Sequence, residues 1–327
     1  MPNPLSDELQ LTPALNDVDR ILAGDNRPKE NVLDDVYGKY RDSHPFLPVT
    51  HFIDHATMGA EALVALGLGH KVSDWISRHR VRRYEAPSTG VSISSAWKEA
   101  VGRKECHGDW LRHLESELNG NRFENVLAAW TERFAHDVGA FLFHGLIRTA
   151  HAARALRHKD TQERRGELAR GLALWAIGIK SPPPNDLPAR ETGVDPTAEI
   201  MQCARAGAAT FVRKSTIPNL HLVTGPMAYM MIAHHLDSRV HATAMLAFRR
   251  THAKAIGALE PDRREALSEP IPSLDQAHLE ALAEGTNAHP IKLTEAALRA
   301  YRATGDDLFL KAAGKVQNYG YWQALVG

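Results

Sequence analysis

Apolar residues recur along most of the chain with the three- to four-residue spacing of amphipathic helices. Strand-like alternation of apolar and polar residues is rare, and Ala and Leu dominate the apolar positions. The pattern therefore predicts an all-α fold: a single large helical bundle-like domain of about a dozen helices.

The clearest predicted helices begin or end at capping residues, glycines and prolines. Between residues 124 and 159 the chain has no proline, and residues 134–155 are apolar nearly all round, which indicates one continuous buried helix. The other predicted helices lie at about 31–40, 54–68, 72–82, 95–119, 161–179, 197–212, 221–235, 239–258, 289–303 and 306–316.

Residues 181–196 (SPPPNDLPARETGVDP) contain five prolines, four of them before residue 190, and they predict a long extended connection. We expect one domain over residues 1–327, in which two closely packed halves, 1–180 and 197–327, are joined by this segment. We expect both halves to contribute to one site.

The composition argues against several classes of partner. Lys and Arg total 39, as do Asp and Glu, so no strong basic balance suggests nucleic acid as a partner. No apolar run reaches the ~18 residues of a membrane span, and the N-terminal segment lacks the apolar core of a signal peptide. Cys106 and Cys203 form no CxxC motif. These features predict a cytoplasmic protein with neither membrane nor nucleic-acid partners.

The 18 histidines are the unusual feature of the composition. In the predicted helix over 124–159, helical spacing puts Asp137, Phe141, His144, Arg148 and His151 on one face. Polar groups buried on an apolar helix need partners. The stripe therefore predicts a polar site, or alternatively an Asp137–Arg148 ion pair with two hydrogen-bonded core histidines.

Three further segments carry candidate ligands. His51 and His55 are four residues apart and could both address a metal. His221 begins an apolar stretch after Pro218. His289 and Lys292 lie in the first turn of a predicted helix, where a cation is unfavourable unless it faces an anion or becomes one by carboxylation.

Other motifs are few. His136-Asp137 is an HD dipeptide, which suggests a metal-dependent hydrolase as an alternative function. The sequence has no glycine-rich dinucleotide fingerprint, so we expect neither flavin nor nicotinamide, and it has no Walker loop or GxSxG elbow.

Four sequence pieces together resemble, in the same order, motifs of the questin oxidase-like family. They are DHATMGAEALVALGL, FHGLIRTAHA, HLVTGPMA and HPIKLTEAALRAY, which span most of the chain from Asp54 to Tyr301. The resemblance implies an all-helical fold and oxygen chemistry on aromatic polyketides such as anthraquinones, by Baeyer–Villiger or ring-opening reactions.

The resemblance also implies a ligand set. Family members look like non-haem iron proteins, and the matching residues here are His55, His144, His221 and a carboxylated Lys292. Fungal relatives carry a second histidine three residues after the one that matches His55, where this chain has Met58, a poor ligand for ferrous iron. Either the site has one ligand fewer, or His51 or His151 takes that place, or the metal is not retained.

We therefore expect an oxidoreductase that uses Fe(II) and O2 on an aromatic polycyclic, phenolic or quinone substrate. Arg148 would hold a phenolate by charge-assisted hydrogen bonds. His151 would orient a ligand or transfer a proton. The alternatives are an HD-type metal-dependent hydrolase and a non-enzymatic helical protein that binds a small molecule.

Overall fold

A computed structural model describes residues 31–43, 45–46, 53–81, 85–86, 88–180, 194–268, 270–271 and 274–316. Over these residues the fold is all-α, which confirms the predicted fold class; they contain no β-strand, and Phe46 and Ile53 form an isolated β-bridge. The first helices are α1 (Val32–Lys39), α2 (Ala56–Ala65), α3 (Val72–Ser77), α4 (Ile93–Ala100), α5 (His107–Gly120), α6 (Phe123–Phe134), α7 (His144–His158) and α8 (Gln162–Gly178).

The remaining helices follow residues 181–193, the part of the predicted connection that lies outside the described residues. They are α9 (Pro196–Arg213), α10 (Ile217–Ile232), α11 (Ser238–Gly257), α12 (Leu259–Ser268), α13 (Gln276–Leu282), α14 (Ala288–Thr304) and α15 (Asp307–Lys315). Among the described helices, none combines the length and apolar character required to cross a bilayer.

The side chains of Asp195, Thr216, Asp237 and Asn287 accept backbone N–H groups at the starts of α9, α10, α11 and α14. Such caps supply hydrogen bonds that the first helical turn lacks. Gly305 ends α14 with a φ of 65°, a conformation that glycine adopts without steric cost.

The prediction of one continuous helix through residues 134–155 is wrong. Helix α6 ends at Phe134, and a 3-10 turn over Ala135–Asp137 leads to Phe141, Leu142 and Phe143, which have left-handed φ values of 48°, 54° and 66°. Residues 138–143 (VGAFLF) contain no polar side chain, and Asp137 and His144 on either side keep helical spacing, so the pattern could not show the break.

Two hydrophobic cores lie side by side. The first is built mainly from α5 to α8 with part of α11, and the second from α1 to α3, α9, α14 and α15. Both cores include residues from before 181 and from after 193. Helix α10 contributes Met227 to one core and Ala228 to the other, so it lies where the two cores meet.

Glycine allows α7 and α8 to approach closely at this junction. A Cβ on Gly145 would lie 2.3 Å from the Cα of Trp175, and one on Gly171 would lie 2.7 Å from the backbone nitrogen of Thr149. Contacts this short with backbone atoms can be relieved only by moving the two helices apart. Gly145 therefore fixes the position of the first turn of α7.

We expect Gly145→Ala to lower the free energy of unfolding by about 1–3 kcal/mol, because it overpacks the helix contact. Gly166→Ala in α8 is the matched control, since its added Cβ would come no closer than 3.4 Å to the Arg170 side chain. Denaturant unfolding of both variants measures the difference. Equal stabilities would contradict the role of the close contact.

Candidate metal centre

Four histidines from distant parts of the sequence meet between the helices. One side-chain nitrogen from each of His55, His144, His221 and His289 lies within 4.8 Å of the corresponding atoms of the others. The Nε2 atom of His144 is 2.6 Å from Nε2 of His55 and 3.1 Å from Nε2 of His221. This cluster, called the histidine centre below, could hold a metal ion.

Each histidine lies at or near the beginning of a helix. His55 immediately precedes α2, whose first N–H, that of Ala56, is capped by the Asp54 carboxylate at 2.9 Å. His144 is the first residue of α7 and follows the left-handed turn. His221 and His289 lie near the starts of α10 and α14. Capping hydrogen bonds fix the backbone at the start of a helix, so side chains there project in a defined direction.

Hydrogen bonds fix the orientation of three of the four rings. Nδ1 of His144 donates to the carbonyl of Phe141, and Nδ1 of His221 donates to the carbonyl of Ile217 at 2.8 Å. Nδ1 of His289 lies 2.9 Å from the Asn287 side-chain oxygen. Since an oxygen of this kind only accepts, Nδ1 carries the proton in each ring and Nε2 presents a lone pair.

The surroundings keep the four rings neutral. Burial, reinforced by the positive charge of Lys292, lowers the pKa of His55 and His289 well below 6.5, and burial together with His221 and Lys292 does the same for His144. Burial lowers the pKa of His221 to about 3. A neutral imidazole is the form that binds a metal.

The orientation of the rings and their neutral state together favour a cation at the centre. The neutral Nε2 atoms of His144 and His221 face each other as two acceptors at 3.1 Å, an arrangement that is repulsive unless something positive lies between them. Two nitrogens each about 2.1 Å from one ion at a right angle would be about 3.0 Å apart. The donor set and its spacing therefore fit a metal ion.

Lys292 lies beside the histidine centre, three residues after His289 on α14. Its ammonium nitrogen is buried and has no hydrogen-bond partner among the described residues. Burial lowers the pKa of Lys292 to about 7. A buried amine without a hydrogen-bond partner destabilises the fold, which suggests that a ligand or ion bound at the centre interacts with Lys292.

Arg148 and His151 lie on α7 but point to other partners. Arg148 forms a two-fold hydrogen-bonded ion pair with Glu167 at 2.7 and 3.0 Å. His151 lies 2.5 Å from a carboxylate oxygen of Glu61. The alternative, an Asp137–Arg148 ion pair, is wrong, because Asp137 precedes the break before α7 and its carboxylate accepts the N–H of Lys180.

The structure places His55, His144 and His221, three of the expected ligands, in one cluster, and His289, which was not among the expected ligands, is its fourth member. The signal was present, because the three-residue spacing of His289 and Lys292 puts both on one helix face. His51, proposed as a further ligand, lies outside the described residues. Met58 is a buried core residue.

A second buried cluster links the helices that carry the histidines. Arg154 on α7 donates to Glu61 on α2 and to Glu295 on α14. Arg299 on α14 donates to Glu295 and, at 2.7 Å, to the Met227 carbonyl on α10. This buried charge cluster therefore fixes α2, α7, α10 and α14 relative to one another.

No family model matches the sequence, and no curated protein is significantly similar to it. The assignment of this site therefore depends on its own geometry, which supports a metal centre of undetermined metal identity built from four histidines.

We predict that purified protein binds one divalent transition metal ion. His144→Ala or His289→Ala should weaken metal binding more than about 100-fold, since loss of a group that only hydrogen-bonds to a ligand typically lowers metal affinity 10–100-fold. Elemental analysis after equilibration with limiting metal measures this loss. His234→Ala is the control, because His234 is exposed and contacts Arg157 rather than the histidine centre. Undiminished metal content in both centre variants would exclude the site.

We also predict that acid weakens the fold through Glu167. Burial alone would raise the pKa of this carboxyl, but Arg148 and Arg170 outweigh it and lower the pKa from 4.5 to about 2. Because the folded-state pKa is depressed, the stabilisation is complete above about pH 4.5 and is lost as the pH falls toward 2.

Glu167→Gln should lower the free energy of unfolding by about 3–5 kcal/mol at pH 7, because it leaves two buried guanidinium groups without their carboxylate. It should also flatten the decline of stability between pH 4.5 and 2. Glu132→Gln, at an exposed position, should change neither. An acid-induced decline as steep in Glu167→Gln as in the wild type would contradict this assignment.

Proposed function

We propose that this chain is a non-haem, metal-dependent oxygenase that binds Fe(II) and acts with O2 on an aromatic polycyclic, phenolic or quinone substrate. The reaction is of the Baeyer–Villiger-like or ring-cleaving kind. The observation that carries the proposal is the set of four neutral imidazoles, three of them with Nε2 lone pairs fixed by hydrogen bonds at Nδ1, that converge beside a lysine whose Nζ has no hydrogen-bond partner among the described residues. The four sequence pieces that resemble the questin oxidase-like family support iron and an aromatic substrate.

Iron bound by the histidine centre supplies the one-electron chemistry that lets O2 react with a closed-shell aromatic molecule. The chain supplies the ligands and their orientation. The Phe141 and Ile217 carbonyls hold the rings of His144 and His221 so that Nε2 faces the centre. Such second-layer hydrogen bonds fix the tautomer and raise the basicity of a ligand.

Lys292 is the proposed anionic ligand, after carboxylation by CO2. The neutral amine forms a bond from Nζ to the carbon of CO2 and releases one proton, which converts the side chain into a carbamate. An unmodified ammonium would repel a cation in the same cavity. A carbamate would instead be attracted to the cation, and it would replace the unpartnered buried amine by an anionic group.

In this proposal His151 does not bind the metal but helps to position a ligand. Its bond to Glu61 connects α7 to α2, the helix that His55 precedes. The HD-type hydrolase is less well supported, because Nδ1 of His136 bonds to the Arg133 carbonyl and Asp137 accepts the N–H of Lys180. Neither residue belongs to the histidine centre.

We expect Fe(II)-loaded protein to consume O2 when it is given hydroxylated naphthoquinones or anthraquinones, and we expect the Zn(II)-loaded protein to consume none, because zinc has no accessible redox change. His144→Ala should lose the activity, and His234→Ala should retain it. An oxygen electrode measures the rate, and mass spectrometry with labelled O2 detects oxygen incorporation.

Lys292→Met should also lose oxygen consumption, and in the wild type 13C-bicarbonate should give a carbamate carbon signal that Lys292→Met lacks. Hydrolysis of a phosphate ester with divalent metal but no O2 consumption would favour the HD-type alternative. Substrate binding without turnover in the Fe(II) protein would favour a non-enzymatic binding protein.

A further inference from the structure

A cavity of about 560 Å³ opens beside residues 41–43, 45 and 85–86 and the helices α5, α7 and α8. This volume lies within the range that binds small organic ligands. Two arginines that are almost fully buried, Arg148 and Arg170, contribute to its wall although α7 and α8 hold them inside the protein. The other lining residues include Arg41, Ser43, Pro45, His107, Leu111 and Arg112.

Arg148 keeps unused hydrogen-bonding capacity at this cavity. Its Nε and Nη2 atoms donate to Glu167, and Nη1 makes no hydrogen bond to any described residue. Only 3% of Arg148 is exposed, so bulk water does not solvate the side chain freely. Arg170, by contrast, donates from all three nitrogens, to Glu167, Arg41 and Tyr37. Of the two buried arginines in the wall, Arg148 is therefore the one with a nitrogen, Nη1, that makes no hydrogen bond to a described residue.

Charge at the inner wall favours an anion. Arg148 and Arg170 share one carboxylate, that of Glu167, and are held by it on the same side. Three acids also line the cavity: Asp42 and Glu85 are exposed, Glu115 is half-buried, and none of them is as buried as Arg148 and Arg170. Asp54 also acts on the charge of Arg148, yet its Oδ1 is engaged by the N–H of Ala56. An incoming oxyanion would therefore meet an unbonded guanidinium N–H.

The wall of the cavity is connected to two segments that carry members of the histidine centre, although the four histidines themselves do not line it. The carbonyl of Pro45, a wall residue, accepts the N–H of Asp54 at 3.0 Å, and Asp54 precedes His55. Arg148 follows His144 by one helical turn, about 6 Å along the axis. A rigid aromatic molecule with its oxygen at Arg148 would therefore lie beside the segments that present His55 and His144.

We propose that this cavity is the substrate site and that Arg148 binds an aromatic oxyanion there, a phenolate or a ring-attached carboxylate. This inference rests on the proposed function, whose substrate class it narrows from aromatic molecules in general to those with an ionised oxygen. The Nη1 group donates to the oxyanion while Glu167 holds the other side of the guanidinium plane. Arg148 is thus a specificity-determining residue.

The test compares anthraquinone-2-carboxylate with anthraquinone-2-carboxamide, which has the same shape without the charge, by calorimetric titration. It uses the full chain both as isolated and after removal of metal by a chelator. The carboxylate should bind about tenfold or more tightly than the amide, as expected for a buried charge-assisted hydrogen bond. A third probe, 2-hydroxyanthraquinone, should shift to its phenolate absorption on binding at fixed pH.

Arg148→Gln should remove the preference for the carboxylate and the absorption shift, and Arg122→Gln, an exposed arginine paired with Glu124, should keep both. If Arg148→Gln does not fold, Arg148→Lys and the wild-type comparison of carboxylate with amide decide the question. Equal affinity for the two anthraquinones in the wild type would overturn the proposal.

Because the metal-free protein gives the same comparison, failure here would leave the oxygenase proposal standing. Conversely, loss of oxygen consumption with intact anion preference would overturn the oxygenase alone.

Discussion

The structure depends on one constraint: four imidazoles are held together in neutral form, and hydrogen bonds at Nδ1 turn the Nε2 lone pairs of His144, His221 and His289 toward a common point. The carbonyls of Phe141 and Ile217 and the Asn287 side-chain oxygen set this orientation, so these three rings cannot relieve the repulsion by exchanging tautomers. An unpaired buried polar group costs of the order of 1–3 kcal/mol. A cation that the cluster could hold would complete several such groups at one point.

Much of the surrounding protein serves to hold this arrangement. The left-handed turn over 141–143 costs roughly 1–2 kcal/mol per residue, and it directs the Phe141 carbonyl onto His144. Gly145 lets the first turn of α7 approach α8. The buried charge cluster around Arg154 and Glu295 connects all four helices that carry or follow the histidines. Strain at one position is thus offset by packing and ion pairs elsewhere.

Helical spacing was enough to predict the fold class and most helices, because each of these buries one face in a local pattern. It could not show the break before α7, since residues 138–143 have no polar side chain and Asp137 and His144 on either side keep helical spacing. The likeness of four short pieces suggested His55, His144, His221 and Lys292 as a ligand set. His289 was recognised in the first turn of a predicted helix, but it was not part of that set. The acidic partners of Arg148 and His151 come from α8 and α2, and no local pattern reveals contacts between distant helices.

The most direct test is X-ray absorption at the iron edge of protein loaded with Fe(II). The account predicts outer-shell scattering typical of imidazole, with several nitrogen ligands at about 2.0–2.2 Å, and a reduced imidazole count in His289→Ala. Iron surrounded only by water oxygens, with a spectrum unchanged by His289→Ala, would contradict the claim that this cluster is a metal centre.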